Sequence, residues 1–250
     1  MLIRTLNKVL NNFDIQLIKN KSTSLPEDFD TFHSDIYYKV KEYTMTSPER
    51  VFSLIEAVNY VLRCKIEGSI VECGVWKGGS MMAAILRLQE IGDTDRSLFL
   101  YDTFEGMSEP TEFDMDPSGQ KATNLLNTRK KTEEDHVWAF SPLEAVKTSI
   151  YKTQYPKELI HFIKGKVEDT IPQTLPEKIA ILRLDTDWYE STKHELIHLF
   201  PRLVKGGVLI LDDYGHWSGA KKAVDEYLHE NNITILLNRI DNTGRIGIKQ

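Results

Sequence analysis

Apolar runs of strand length recur from residue 69 onward: Ser69–Cys73, Ser97–Tyr101, Leu159–Ile163, Ile179–Leu184 and Val208–Leu211. Runs with so little polar alternation are expected of parallel strands buried on both faces. Between them the spacing turns helical, over Ser80–Ile91 closed by Gly92, then near Ser191–Leu203 and near Ala220–His229. Upstream, Val51, Leu54, Ile55, Val58, Val61 and Leu62 follow i, i+3, i+4, i+7 spacing, which predicts a helix with one buried face. Thr46-Ser47-Pro48-Glu49 marks its start, with a Ser/Thr cap, Pro in the first turn and Glu to complete a capping box, and Gly68 marks its exit turn. The chain end breaks this alternation. Ile233–Leu237 and Arg245–Ile248 flank the turn Asp241-Asn242-Thr243-Gly244, and such a return reads as an antiparallel hairpin. The expected fold is α/β, a mostly parallel seven-stranded sheet with a C-terminal antiparallel hairpin and helices N-terminal to it.

A chain of 250 residues fits one large α/β domain, expected over residues 45–250. Residues 1–44 read as an N-terminal helical arm and linker. Leu2, Leu6, Val9, Leu10 and Phe13 fall near helical spacing, and a polar stretch from Lys19 to Phe29 follows. A membrane-surface helix is the minor reading of that apolar stripe. The stripe is expected to pack on the chain's own core or on a second copy, so a homo-oligomer formed through the N-terminal helices is anticipated. Residues 107–144 show no regular period, and that length is too great for a structureless connection. An active-site insertion or lid is expected there.

Net charge narrows the partners. At −6, with no clustered basic stripe, the chain lacks the footprint of a nucleic-acid binder. Cys64 and Cys73 match no zinc spacing and imply no disulfide framework, which suits a reducing compartment. No apolar run of about 18 residues is present, so no transmembrane segment is expected, and Asn and Lys interrupt any signal-like core near the start. The reading is soluble and cytoplasmic.

Chemistry collects at the carboxyl ends of the apolar runs. Ile179–Leu184 leads into Asp185-Thr186-Asp187, and Val208–Leu211 into Asp212-Asp213-Tyr214. Neighbouring strands lie about 4.8 Å apart, so adjacency would bring Asp185, Asp212 and Asp213 into one small volume. Three carboxylates that close repel one another unless a cation lies between them, and an all-oxygen set suits a hard ion such as Mg²⁺. The first run enters the loop Glu72-Cys73-Gly74-Val75-Trp76-Lys77-Gly78-Gly79-Ser80. Trp76 stands where the dinucleotide fingerprint needs glycine, and no Gly-Lys-Ser/Thr closes a P-loop. Asp102 ends the next run and is placed to accept ribose hydroxyls. An adenosine cofactor without a pyrophosphate fits both signals, and S-adenosylmethionine meets that description. Glu168 and Asp169 follow the third run and either border the adenine or cap the next helix. His216 and Trp217, with Tyr214 before them, are candidates for an acceptor site, as are His136 and Trp138 in the irregular stretch. His194 and His198 lie one helical turn apart with no third ligand nearby and read as a solvated face. Lys77 and Arg183 receive no role.

Several segments together carry a family resemblance: Met45-Thr46-Ser47-Pro48-Glu49-Arg50, the loop from Val71 to Ser80, Tyr101-Asp102-Thr103-Phe104-Glu105-Gly106-Met107, Lys166 to Pro172, Leu182 to Thr192 and Gly206 to Gly219. Over roughly residues 45–250 the chain resembles the macrocin/mycinamicin/novobiocin sugar O-methyltransferases (TylF/MycF/NovP-like). The resemblance implies a Rossmann-like class I methyltransferase fold that uses S-adenosylmethionine and Mg²⁺ to methylate a sugar hydroxyl of a glycoside or nucleotide-linked saccharide. It implies metal ligands at Asp185, Asp212 and Asp213, with Asp185 also the general base, and cofactor contacts at Glu72, Gly74 and Asp102, to which Ser80, Glu168 and Asp169 are added. Residues 1–44 and 107–144 follow the pattern poorly and are expected to read the acceptor. The competing readings are a catechol-type O-methyltransferase, a catalytically silent cofactor-binding assembly subunit and, third, a nicotinamide-dependent reductase.

Overall fold

A computed structural model describes residues 25–133 and 135–250. The helix expected over residues 1–20, with its self-association, lies outside those residues. Helix α1 (Thr31–Val40) opens on Asp30, whose carboxylate accepts the His33 N–H, and it delivers Ile36 and Val40 to the main core. Helix α2 (Pro48–Arg63) is capped by Ser47, which accepts the Arg50 N–H. With Ser47 rather than Thr46 as the cap, the third helical position falls on Arg50 and not on Glu49, so the expected capping box is not made. The helix otherwise buries the predicted face, including Val51, Leu54, Ile55, Val58 and Val61.

Strands and helices then alternate as β1 (Ser69–Cys73), α3 (Gly79–Ile91), β2 (Leu98–Asp102), α4 (Ala122–Thr128), α5 (Leu143–Tyr151), β3 (Ile160–Lys164), α6 (Val167–Thr170), β4 (Ile179–Leu184), α7 (Tyr189–Leu199), β5 (Leu203–Leu211), α8 (Ser218–Glu230), β6 (Asn238–Arg239) and β7 (Arg245–Ile248). They build one seven-stranded sheet in the order β3-β2-β1-β4-β5-β7-β6. The first five strands are parallel, and β7 runs antiparallel to both β5 and β6. Side-chain alternation divides the core between the two faces. Ile70, Leu98, Leu100, Ile181, Val208 and Ile210 pack against α1, α2 and α3. Val71, Tyr101, Leu182, Leu184, Leu209 and Leu211 pack against α7 and α8. The strand order reverses between β1 and β4, which is where open α/β sheets leave a crevice at their carboxyl ends.

Two boundaries differ from expectation. The helix expected to reach Leu203 stops at Leu199 and passes through a 3₁₀ turn over Phe200–Arg202. Strand β5 therefore begins at Leu203, which pairs with Ile179, and not at Val208. In the hairpin only Asn238 and Arg239 pair with β7. The segment 233–237 crosses the face of β7, where a side chain on Gly247 would lie 2.9 Å from the Leu236 carbonyl oxygen. It is a cover and not a strand. Residues 107–144 contain α4 and a bridge between Met115 and Lys121. They pack through Ala122, Leu126, Met107 and Val137 onto Trp188 and Trp217, above the strand ends. Among the described residues no helix is long and apolar enough to cross a membrane.

Candidate active site

Register sets the site. Cys73 pairs with Leu184 and Leu184 with Leu211, so β1, β4 and β5 end level with one another. The Asp185 N–H donates to the Cys73 carbonyl and the Asp212 N–H to the Leu184 carbonyl, each at 2.9 Å. A cavity of about 450 Å³ opens above these ends, within the range usual for small-molecule sites. Its walls come from Tyr43–Thr46 ahead of α2, the loop between β1 and α3, the turn after β2, Lys166–Glu168, Asp185–Trp188, Asp212-Asp213, His216-Trp217 and His136-Val137.

The loop after β1 is shaped by chain-on-chain contact. Gly74 has φ +83°, and a Cβ there would collide with the Asp185 carbonyl oxygen. Only glycine fits a positive φ at so close an approach. Trp76, without that freedom, still sits at φ +48°. Asp102 holds it: Oδ2 accepts the Val75 N–H at 2.7 Å and the Trp76 N–H at 3.1 Å, while Oδ1 accepts the Phe104 N–H at 2.6 Å. Burial pushes the Asp102 carboxyl up, and those three N–H groups pull back against it. Ser80 faces the same cavity from the first turn of α3, and Glu168 from α6.

Asp185, Asp212 and Asp213 do converge, each offering an oxygen within 4.8 Å of the others. Burial, then the neighbouring Asp212 and Asp213, push Asp185 well above the usual carboxylate range, against the pull of Arg183. Burial and Asp187 do the same to Asp213, and burial and Asp185 push Asp187 up to about 7. Asp213 Oδ2 is buried with no hydrogen-bond partner among the described residues. An unpartnered buried oxygen beside two further carboxylates fits a hard divalent cation, which supplies the missing positive charge. The adenosine-type cofactor also fits, since the carboxylates Asp102 and Glu168 and the apolar Val75 and Val167 line the same cavity.

Other expected positions fall differently. Glu72 is buried beneath the cavity wall, with Oε1 accepting from Arg183 Nη1 at 2.7 Å. Burial, opposed by Arg183, pushes it up to about 7. Asp169 is exposed and outside the lining, unlike Glu168. Tyr214 is turned away, its hydroxyl donating to Asp225 on α8 at 2.7 Å. His136, His216 and Trp217 line the cavity, and Trp217 meets Trp188 edge to face at 4.9 Å. His136 reaches Met45 across the mouth, Nδ1 to Sδ 3.3 Å.

Two arginines were not anticipated. Arg183 is buried in β4 and binds three carboxylates: Glu72, Asp185 at 2.8 Å and Asp212 at 2.6 Å. A charge inside an apolar run cannot stay unpaired, and it stands two residues before Asp185, so a sequence signal existed. Arg50 joins Asp212, Asp241 and Thr243. Those partners are remote in sequence, and no local pattern announces them.

Comparison with known proteins places the chain. It matches the family described as Macrocin-O-methyltransferase (TylF) over residues 15–246. It is 33% identical over 204 residues, 81% of this chain and 74% of the relative, to the 8-demethyl-8-(2,3-dimethoxy-alpha-L-rhamnosyl)-tetracenomycin-C 4'-O-methyltransferase of Streptomyces olivaceus. It is 31% identical, over 81% of this chain and 74% of the relative, to the demethyldecarbamoylnovobiocin O-methyltransferase of Streptomyces niveus. The solved structure of the O-methyltransferase NovP superposes with a TM-score of 0.73 at 30% identity, covering 83% of this chain and 82% of that one. The calicheamicin methyltransferase CalS11, at 16% identity and a TM-score of 0.58 over 93% and 99% of the two chains, shares the fold.

Proposed function

The chain belongs to the macrocin-O-methyltransferase (TylF) family and is an S-adenosylmethionine-dependent O-methyltransferase, and on that basis we propose that it methylates a sugar hydroxyl with the help of Mg²⁺. One observation carries the reading. The carboxylates of Asp185, Asp212 and Asp213 face the same cavity as the Gly74–Trp76 loop and Asp102. Relatives named for action on rhamnosyl-tetracenomycin and on demethyldecarbamoylnovobiocin support a glycoside acceptor.

When bound, S-adenosylmethionine supplies an electrophilic methyl group, and Mg²⁺ supplies the charge that makes a sugar hydroxyl more acidic. The chain's own residues do the rest. Asp185 takes the hydroxyl proton. Arg183 fixes the Asp185 carboxylate, and a positioned base contributes about 10²–10⁴-fold. Gly74 and Asp102 hold the loop that faces the methyl donor. Trp188 and Trp217, with the insertion over residues 107–144 packed on them, close the acceptor side against water.

The test is to incubate the protein with S-adenosylmethionine, Mg²⁺ and matched panels of glycosides and catechols, and to read methylated products by mass spectrometry. Methylation of glycosides that chelator abolishes is expected. Products from catechols alone would replace the sugar by a phenol, and chelator-resistant turnover would remove the ion.

A further inference from the structure

Arg50 sits in the first turn of α2, where its guanidinium spans three partners. Nε donates to Asp241 Oδ2 at 2.8 Å, Nη1 to Asp212 Oδ2, and Nη2 to Thr243 Oγ1. The other Asp212 oxygen accepts from Arg183 Nη2 at 2.6 Å. Both oxygens of Asp212 are therefore engaged by guanidinium groups, while Asp213 Oδ2 has no partner among the described residues. The acidic cluster carries two countercharges of its own.

The two differ in freedom. The Arg183 side chain is 3% exposed and locked among Glu72, Asp185 and Asp212. Both arginines reach the cavity lining, and the Arg50 side chain is 17% exposed. It also keeps Asp241 and Thr243 if it lets Asp212 go. A divalent cation among the three aspartates would stand next to a guanidinium, and two positive centres at that range repel by several kcal/mol unless strongly screened. Arg50 is the one that can yield.

We propose that Arg50 is an internal countercation of Asp212 that a divalent cation displaces, so that filling the acidic site is relayed to the cavity wall at Tyr43–Thr46. The inference rests on the cation reading above. The relay has a short path. Asp241 Oδ2, which accepts Arg50 Nε, also accepts the hydroxyl of Ser47 at 2.8 Å, and Ser47 is the cap of α2. Thr44 and Thr46 just before it are hydrogen-bonded to each other at 2.9 Å, and both line the cavity with Tyr43 and Met45. A shift of Arg50 toward Asp241 thus acts at the foot of that wall.

The experiment is calorimetric titration of the full chain with Mg²⁺ for wild type, Arg50→Gln and Arg50→Lys, joined to amide hydrogen exchange over residues 43–50. Arg50→Gln should bind Mg²⁺ about tenfold tighter, because a repelling charge is gone, and Arg50→Lys should stay near wild type. In wild type, Mg²⁺ should change exchange over residues 43–50, and in Arg50→Gln it should not. The variant is expected to fold, since Asp212 keeps Arg183 and Asp241 keeps Ser47 and two backbone N–H groups. The wild-type exchange measurement needs no substitution at all. Equal affinity in Arg50→Gln, or Mg²⁺ binding to wild type that leaves residues 43–50 unchanged, overturns the proposal alone. Failure of both proteins to bind Mg²⁺ overturns the cation reading and this inference with it.

Discussion

The Arg183 guanidinium lies 2.8 Å from the Asp185 carboxylate, so the group proposed to take the proton is held by the strand that presents it. Arg183 also neutralises Glu72 and Asp212. Its replacement by methionine leaves Glu72 and Asp185 without their countercharge and Asp212 with Arg50 alone. Breaking such a network by removing one partner costs about 3–5 kcal/mol, and denaturant unfolding of Arg183→Met should show a loss of that order. A loss within experimental error would mean that the carboxylates are neutral without it.

Asp185→Asn keeps the shape of the side chain and removes its basicity. Binding of S-adenosylhomocysteine should be unchanged by calorimetry, while turnover should fall by about 10²–10⁴, the usual worth of a positioned base. Full turnover would take the role of base away from Asp185.

Gly74→Ala places a methyl group against a backbone oxygen of Asp185 at φ +83°. Because the obstacle is main chain, it cannot swing aside. A loss of about 1–3 kcal/mol is expected from the strained conformation, with turnover falling further as Asp185 moves. Thermal unfolding and the methyl-transfer rate, measured on the same preparation, separate the two effects.

Asp241 gives a pH dependence whose sign can be worked out. Burial pushes its carboxyl up, but N–H groups of Gly244 and Thr243, together with Arg50 and Ser47, overcome that and hold it at about 2. An unfolded Asp titrates near about 3.9. The folded value is the lower one, so Asp241 contributes stability that is present above about pH 4 and is lost as pH falls toward 2. Asp241→Asn should flatten this part of the acid-unfolding curve. A curve that keeps its wild-type slope between pH 4 and 2 would contradict the assignment.

Asp114 anchors the insertion. It is fully buried, accepts from the Thr111 N–H and hydroxyl and from the Tyr189 N–H at 2.8 Å, and abuts Gly219. Asp114→Ala removes the contact that ties residues 111–114 to the start of α7, at a cost of about 1–3 kcal/mol. The acceptor KM should rise more than kcat falls, because the acceptor wall loosens while the acidic site stays. A pure kcat effect would place Asp114 nearer the chemistry.

The strand ends were readable in the sequence because the apolar runs of β2, β4 and β5 each stop at a carboxylate, so Asp102, Asp185, Asp212 and Asp213 announce themselves. Register, which needs no side-chain knowledge once the strands are level, then brings them together. Arg183 was visible as the one charge inside β4, yet its three partners come from β1, β4 and β5 and only the sheet order unites them. Arg50 was hidden for a stronger reason. Its partners Asp212, Asp241 and Thr243 belong to the far end of the chain, and the capping pattern drew attention to Glu49. The extended look of Ile233–Leu237 misled because β-forming residues also serve as a cover, and pairing there is limited by the passage over Gly247. Tyr214 follows the paired aspartates so closely that its departure toward Asp225 cannot be read from spacing.

The proposed active centre has two parts, an adenosine cofactor beside a divalent cation held by three aspartates. Calorimetric titration with S-adenosylhomocysteine and then Mg²⁺, on wild type and Asp213→Asn, tests it most directly. Cofactor is expected to bind both proteins, and Mg²⁺ to bind strongly only to wild type. Absence of cofactor binding, or Mg²⁺ binding that Asp213→Asn leaves untouched, would contradict it.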